Sequence, residues 1–224
     1  MINHHPPLEL LFDYAAGTLP EPVALAVATH ASMCPACRDE ISAVEALGGA
    51  LLETLEPVAM SATSLDAVLA RLDEPEATPV TVSAARAASG VASFLPGPLR
   101  RYLGEVLPGG WDRLPWRRVT RSLEELRLPM SVQGFKASLM RLAPGSTVPV
   151  HTHRGQEFTL VLAGGFSDET GEYLPGDFAC KDQTHVHRPV VDTDEPCISL
   201  VVLDAPLKLT GMMGRLVNPF INRM

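Results

Sequence analysis

The chain has 224 residues, of which 46% are hydrophobic and 20% are charged. This composition is typical of a globular protein and excludes a disordered chain, and the length allows one large domain or two small ones. No apolar run approaches the roughly 18 residues that span a bilayer, and the N-terminus lacks the basic start and apolar core of a signal peptide. We therefore predict a cytoplasmic protein with no membrane association.

The excess of negative charge lies in the first third of the chain. Residues 1–73 contain ten acidic and two basic residues, which accounts for the whole net charge of −8. A nucleic-acid-binding module would be expected to be basic there, because phosphate neutralisation supplies most non-specific affinity. The acidic segment is either a solvated surface or a surface for a basic protein partner. Direct nucleic-acid binding is not expected.

The spacing of apolar residues in residues 1–73 predicts about four helices. The second begins near Glu21 and the third at Pro35, because proline is favoured in the first turn of a helix. The fourth begins at Ser64 and carries an apolar stripe on one face: Leu65, Val68, Leu69 and Leu72. A helix this short is not stable alone, so its stripe must pack against its own domain or against a partner.

The apolar pattern changes after the helical segment. Residues 74–97 are rich in proline, serine and alanine, which is typical of a linker. Residues 98–206 alternate with period two and contain regularly spaced turns, which indicates an antiparallel barrel or sandwich. Residues 207–224 are predicted to form a C-terminal tail. The predicted fold is multidomain α + β, with a small helical domain followed by an all-β domain.

Metal-binding residue types lie between the second and third predicted helices. Cys34 and Cys37 form a Cys-x-x-Cys pair, and His30 lies four residues before Cys34, on the same face of a helix. Two thiolates at this spacing can bind one tetrahedral Zn²⁺, whose fourth ligand would be His4 or His5. A thioredoxin-like redox pair is the alternative, but it belongs to a βαβ context that this segment lacks. We predict a zinc site.

A second cluster of metal-binding residues lies in the β half. His151 and His153 are two residues apart on a predicted strand, so both imidazoles face the same side, and Glu157 opens the next strand facing the same interior. Two imidazoles and a carboxylate suit zinc, iron, manganese or nickel. The opposite face of this hairpin is apolar and must be covered by another part of the protein: Phe158, Leu160 and Leu162.

The remaining two cysteines, Cys180 and Cys197, lie in predicted strands. We interpret them as buried and unreactive thiols, with a sensing thiol pair as the alternative.

The N-terminal pattern resembles the zinc-binding anti-sigma domain. The resemblance covers residues 1–73 and depends on His30-x-x-x-Cys34-x-x-Cys37, preceded by an N-terminal histidine and by the run from Asp13 to Leu19. It implies a four-helix domain that binds zinc through His5, His30, Cys34 and Cys37, with His5 favoured over His4 by its spacing to Tyr14. It also implies that the fourth helix helps to bind an extracytoplasmic-function-type sigma factor.

The β half resembles a cupin barrel, also called a double-stranded β-helix. The segment from Gly145 to Gly164 matches the first cupin motif, Gly-x5-His-x-His-x3-Glu-x6-Gly, at every specified position. Pro175-Gly176-Asp177 matches the start of the second motif, which supplies one more histidine, and His187 fits that role better than His185. The resemblance implies a metal site formed by His151, His153, Glu157 and His187.

Together the two halves resemble the ChrR type of anti-sigma factor over nearly the whole chain. This resemblance implies a regulatory protein, not an enzyme, that sequesters a sigma factor and releases it through its cupin-like domain under an oxidative signal such as singlet oxygen or an organic hydroperoxide. It implies two Zn²⁺ ions, with iron, manganese or nickel as alternatives in the cupin-like domain. The competing interpretation is a dioxygenase-like cupin enzyme with an accessory zinc module, because an open His/His/Glu/His site can activate water or dioxygen.

Overall fold

A computed structural model of the chain describes residues 1–72, 74, 95–106 and 114–209. The helices in these ranges are α1 Leu8–Ala15, α2 Glu21–Met33, α3 Pro35–Glu53, α4 Ser64–Arg71 and α5 Gly97–Val106. The first four confirm the predicted helical N-terminal half. None of the helices in the described residues is long and apolar enough to cross a membrane.

Prolines begin α2 and α3. Pro22 lies in the first turn of α2 and Pro35 is the first residue of α3, positions where the missing N–H costs no helical hydrogen bond. Between the two helices, Cys34 has an extended backbone (φ −109°, ψ 105°), so the helical path is interrupted at this residue. Cys34 is thus the single residue between the last turn of α2 and the first turn of α3.

The strands of the described residues form an antiparallel all-β half, as predicted. They are β1 Arg117–Arg118, β2 Leu123–Leu128, β3 Lys136–Leu142, β4 His151–His153, β5 Glu157–Ala163, β6 Phe166–Asp168, β7 Gly171–Tyr173, β8 Phe178–Lys181, β9 Val190–Val191, β10 Cys197–Leu203 and β11 Leu207–Leu209. The largest sheet has the order β1-β2-β3-β10-β5-β8, a second has the order β7-β6-β9, and β4 pairs with β11.

The largest sheet is covered on both faces. On the inner face, Val161 of β5 packs with Phe166 of β6 and with other side chains of the barrel interior. On the outer face, Leu160 and Leu162 of β5 belong to the same buried cluster as Val27 of α2, and α2 contacts both β5 and β10. The prediction that the apolar face of this hairpin must be covered is therefore confirmed, and the helical half covers it.

The two halves share one continuous core. Leu11 of α1 and Ile41 of α3 lie in the same buried cluster as Leu200 of β10.

The predicted linker, residues 74–97, lies almost wholly outside the described residues. At the other end, β11 pairs with β4, so strand pairing extends into the segment predicted as a tail. The rest of that segment, residues 210–224, lies outside the described ranges.

Candidate metal centres and an exposed apolar surface

The first candidate metal centre lies at the junction of α2 and α3. His30 comes from the last turn of α2, Cys34 from the junction, Cys37 from the first turn of α3 and His5 from the segment before α1. One ligand atom of each residue lies within 4.8 Å of the others. His5 is exposed, and the other three residues are buried. We call these four residues the helical centre.

The hydrogen bond made by His30 determines which of its nitrogens faces the helical centre. Nδ1 donates to the backbone carbonyl oxygen of Gly176, in the barrel, at 2.8 Å. Nε2 therefore carries the lone pair, and it lies 3.2 Å from Sγ of Cys37. Nδ1 of His5 lies 3.4 Å from Sγ of Cys34 and 3.3 Å from Sγ of Cys37. Two nitrogens and two sulfurs that converge in this way match the Cys₂His₂ donor set of a tetrahedral zinc site.

The electrostatics of the helical centre also fit a divalent cation. Burial lowers the pKa of His30 to about 4, which favours the neutral imidazole that binds metals. Burial, together with the neighbouring Cys34 thiol, raises the pKa of Cys37 to about 12. A bound cation supplies the positive charge that stabilises a buried thiolate. The four residues therefore fit zinc, which would connect the N-terminal segment to both helices.

His4 lies outside the helical centre. Its ring contacts that of Tyr173, with centroids 4.4 Å apart, and its Nε2 lies 3.1 Å from the backbone carbonyl oxygen of Glu172. The structure thus brings His5, and not His4, to the two thiols.

The second candidate metal centre lies inside the barrel. His151 and His153 are on β4, Glu157 begins β5, and His187 forms an isolated β-bridge with His151. All four side chains are buried, and their ligand atoms lie within 4.8 Å of one another. We call these four residues the barrel centre.

Imidazole nitrogens face one another in the barrel centre. Nδ1 of His151 donates to the carbonyl oxygen of Pro149, and Nδ1 of His187 donates to the carboxylate of Asp168, both at 2.8 Å. When both rings are neutral, which is the form that binds metals, the two Nε2 atoms carry lone pairs, yet they lie 3.0 Å apart. Nε2 of His153 is 3.1 Å from that of His187. Lone pairs at this distance repel unless a cation lies between them, so the arrangement fits a metal ion.

His153 gives a second indication of metal binding. Its buried Nδ1 has no hydrogen-bond partner among the described residues, and the nearest carboxylate oxygen, Oε2 of Glu157, is 3.7 Å away. Burial lowers the pKa of both His151 and His153 to about 4 and raises the pKa of Glu157. Neutral imidazoles and one carboxylate suit a divalent cation but do not select among zinc, iron, manganese and nickel.

Two residues beside the barrel centre, Asp168 and Lys181, belong to none of the motifs in the sequence. Asp168, at the end of β6, accepts the hydrogen bond from Nδ1 of His187 and forms an ion pair with Lys181 at 3.1 Å. Such an outer partner fixes the orientation and tautomer of a metal-binding imidazole.

His185, the alternative to His187, lies away from the barrel centre and pairs instead with Asp182 at 2.8 Å.

The thiols of the barrel half are protected by burial. Burial raises the pKa of Cys180 to about 12 and that of Cys197 to about 11. Because the thiolate is the reactive form, this environment agrees with the expectation of unreactive thiols.

The apolar stripe on α4 is exposed. Its four residues, Leu65, Val68, Leu69 and Leu72, have exposed fractions between 48% and 73%. The C-terminal part of α3 and the residues after it add further exposed apolar side chains: Leu47, Leu51, Leu52 and Leu55. We call these eight residues the apolar surface. Groups of exposed apolar residues mark interaction sites more often than single ones do.

Two protein families match the chain. A zinc-finger family matches residues 8–38, and the ChrR cupin-like domain matches residues 110–206. The first match contains three residues of the helical centre, and the second contains all four residues of the barrel centre. Fold and centres thus define a class of protein in which a zinc-finger module is joined to a cupin-like domain.

Similarity to individual proteins extends over the whole chain. The chain is 41% identical to the anti-sigma-E factor ChrR of Cereibacter sphaeroides over 219 residues, which is 98% of each protein. It is also similar to ChrR in the crystal structure of Rhodobacter sphaeroides SigE in complex with the anti-sigma ChrR. That match has 38% identity and a TM-score of 0.75, and it covers 91% of this chain and 99% of the other. The chain belongs to the ChrR family of anti-sigma factors.

Family membership confirms the predicted class of function. The two relatives are described as anti-sigma factors, a regulatory and not an enzymatic role, as the combination of modules had indicated. It also confirms the predicted architecture, in which a helical zinc-finger module precedes a cupin barrel.

We expect the purified protein to contain two metal ions per chain, because each centre brings four ligand groups together. Elemental analysis should give a total near two, and the double variant His151→Ala/His153→Ala should reduce it to one. His185→Ala is the matched control, since His185 pairs with Asp182 outside the barrel centre. A total near one that the double variant does not change would contradict metal binding by the barrel centre.

Proposed function

We propose that this protein is a zinc-dependent anti-sigma factor that sequesters an extracytoplasmic-function-type sigma factor and releases it in response to singlet oxygen or an organic hydroperoxide. Family membership and the SigE–ChrR complex of a relative support a sigma factor as the partner. In this proposal the helical half binds the partner, and the barrel carries the response to the signal. A protein with this role acts in the cytoplasm, where the sigma factor meets RNA polymerase.

The apolar surface carries this proposal. In the described part of the chain, the stripe of α4 is not covered by other elements, although the barrel covers α2. A short helix with an exposed leucine stripe gains stability when a partner buries the stripe. We propose Leu65, Val68, Leu69 and Leu72 as partner-binding residues.

Charge supports a basic partner surface. The acidic residues that give residues 1–73 their net charge of −8 include Glu45, Glu53 and Asp66, which lie on α3 and α4 near the apolar surface. Opposite charges around an apolar interface increase the association rate and suppress wrong partners. Nucleic acid would be repelled by the same residues, so we propose no direct contact with DNA.

The two centres are given different roles in this proposal. We propose that His5, His30, Cys34 and Cys37 bind Zn²⁺ and hold α2 and α3 in place for binding. We propose that His151, His153, Glu157 and His187 bind a second metal ion, zinc in the simplest case and iron, manganese or nickel as alternatives. The corresponding division is an anti-sigma domain over 1–73, a linker over 74–97, a cupin-like domain over 98–206 and a tail over 207–224.

The double variant Leu65→Asp/Leu69→Asp tests the partner surface. Burial of one leucine side chain contributes about 1.5–3 kcal/mol, so loss of two should weaken sigma-factor binding by roughly 100-fold or more. Co-purification with a sigma factor encoded beside the gene and titration of the purified proteins measure the effect.

Val186→Asp is the matched control for this test. Val186 is an exposed apolar residue of the barrel, outside the apolar surface, so binding should not change. Thermal unfolding should be similar in all variants, because the substituted side chains are exposed. Parental affinity of Leu65→Asp/Leu69→Asp for the sigma factor would show that α4 is not part of the interface.

A further inference from the structure

The turn between β7 and β8 lies against the N-terminal segment that carries His5. The buried carboxylate of Asp177, in this turn, accepts hydrogen bonds at Oδ1 from the backbone N–H groups of Asn3 (2.6 Å) and His4 (2.9 Å). At Oδ2 it accepts one from the backbone N–H of Leu174 at 2.9 Å. The backbone N–H of Phe178 donates to the carbonyl oxygen of His4 at 3.0 Å. The barrel therefore holds the chain directly before His5.

The same turn also contacts His30. Its Gly176 provides the carbonyl oxygen to which Nδ1 of His30 donates. Gly176 has φ +96°, and a Cβ atom at this position would lie 2.6 Å from Cδ1 of Ile2. Glycine is therefore the residue that permits this backbone conformation and this close approach. One turn of the barrel thus supports both histidines of the helical centre, His30 directly and His5 through the two residues before it.

We propose that the β7–β8 turn is the outer shell of the helical centre, with Asp177 as a positioning residue for His5 and Gly176 as the acceptor that orients His30. The inference rests on the proposed function in one respect, namely that the helical centre binds a metal ion. Beyond that function, the metal affinity of the helical centre then depends on the barrel as well.

The physical reason is preorganisation. The first residues of a chain are ordinarily mobile unless they are held, and ordering them costs conformational entropy. The Asp177 carboxylate holds residues 3 and 4 by accepting hydrogen bonds from their backbone N–H groups, and these bonds need no metal. His5 is therefore already near the thiols when the metal binds. Loss of such outer partners typically lowers metal affinity by about 10–100-fold.

The strand β7, which leads into this turn, also reaches the surroundings of the barrel centre. Tyr173, at the end of β7, contacts the ring of His4 on one side, and its hydroxyl accepts a hydrogen bond from Nζ of Lys181 at 3.3 Å. Lys181 in turn pairs with Asp168, the outer partner of His187. The N-terminal segment that carries His5 therefore contacts a part of the barrel that is itself connected to the second centre.

Co²⁺ binding to the metal-free, full-length protein tests the proposal. A thiolate-to-cobalt absorption band reports the helical centre alone, since no sulfur is among the four ligand groups of the barrel centre. In competition with a chelator, Asp177→Ala and Asn3→Pro should lower the Co²⁺ affinity by about 10-fold or more. Asp177→Ala removes the carboxylate that accepts from the backbone N–H groups of Asn3 and His4, and Asn3→Pro removes the Asn3 N–H. The metal content of the barrel centre should stay at the parental level.

Two matched variants complete the experiment. Asn3→Ala keeps the backbone N–H that Asn3→Pro removes, and Asp182→Ala removes a carboxylate that accepts from the backbone N–H of Thr184 in a different turn. Both should bind Co²⁺ with parental affinity. Asn3→Pro changes only the N-terminal segment, so it decides the test if Asp177→Ala does not fold.

Two results would overturn the proposal, and they are distinguishable. Parental Co²⁺ affinity in Asn3→Pro, or in folded Asp177→Ala, would show that the turn is not an outer shell, while the proposed zinc centre would stand. Absence of the thiolate band from the parent protein would contradict the zinc centre itself, and the inference would fall with it.

Discussion

Cys37→Ala is expected to abolish capture of the sigma factor. Cys37 is the buried thiol at the first turn of α3, and its sulfur lies near both histidine nitrogens of the helical centre. A structural zinc contributes about 10–16 kcal/mol to the folding of small zinc modules, which is comparable to the whole stability of a typical domain, about 5–15 kcal/mol. Loss of a ligand should therefore release α1 and α3 from their fixed arrangement, although α2 remains packed on the barrel.

Co-purification with the sigma factor, together with zinc analysis, measures this effect. Cys180→Ala is the matched control, because it removes a partly buried thiol of the barrel that belongs to neither centre. It should retain both metal ions and full binding. If Cys37→Ala lost one zinc ion but still bound the sigma factor with parental affinity, the metal would not be required for the partner surface.

The double variant His151→Ala/His153→Ala is expected to keep sigma-factor binding and to lose most of the response to oxidants. The four residues of the barrel centre are buried, and none of them belongs to the exposed apolar surface, so its loss leaves the proposed binding residues in place. A signal at this centre changes partner binding only if the two states of the barrel differ in their contacts with the helical half. Without the metal ligands, the difference between those states should largely disappear.

A sigma-dependent reporter, with and without singlet oxygen or an organic hydroperoxide, measures the response in cells. His185→Ala is the control, because it removes an imidazole from the same region of the barrel without touching the barrel centre. It should respond like the parent. Full induction in His151→Ala/His153→Ala would assign the sensing role to another part of the protein, with the Cys34 and Cys37 thiols as the next candidates.

The ligand groups of the centres could be predicted where the spacing is local. His30, Cys34 and Cys37 lie within two turns of helix and a joining residue, so helical geometry alone indicates that they converge. The alternation of a strand similarly places His151 and His153 on one side. His187 is 34 residues from His153, and its place in the barrel centre followed only from the resemblance to cupins.

The outer partners of the histidines could not be predicted, because their contacts are not local. Asp168 is 19 residues from His187 in sequence, and no motif connects the two. Asp177 belongs to a turn motif, but the motif does not indicate that its carboxylate accepts hydrogen bonds from Asn3 and His4, more than 170 residues earlier. The acceptor for His30 is a backbone carbonyl of Gly176, which every residue type possesses. For the core that joins the two halves, the sequence indicated only that the apolar face of β5 must be covered. It did not indicate that the N-terminal helices cover it.

The hydrogen bond between His30 and Gly176 also has a consequence for the order of events during synthesis. The two residues are 146 positions apart, and translation adds about 5–20 residues per second, so Gly176 follows His30 by on the order of ten seconds. Asp177 emerges even later relative to Asn3 and His4. During that interval the nascent chain carries all four ligand groups of the helical centre but neither of the barrel acceptors that orient them. Any metal ion that binds so early therefore meets a looser set of ligands than the finished protein presents.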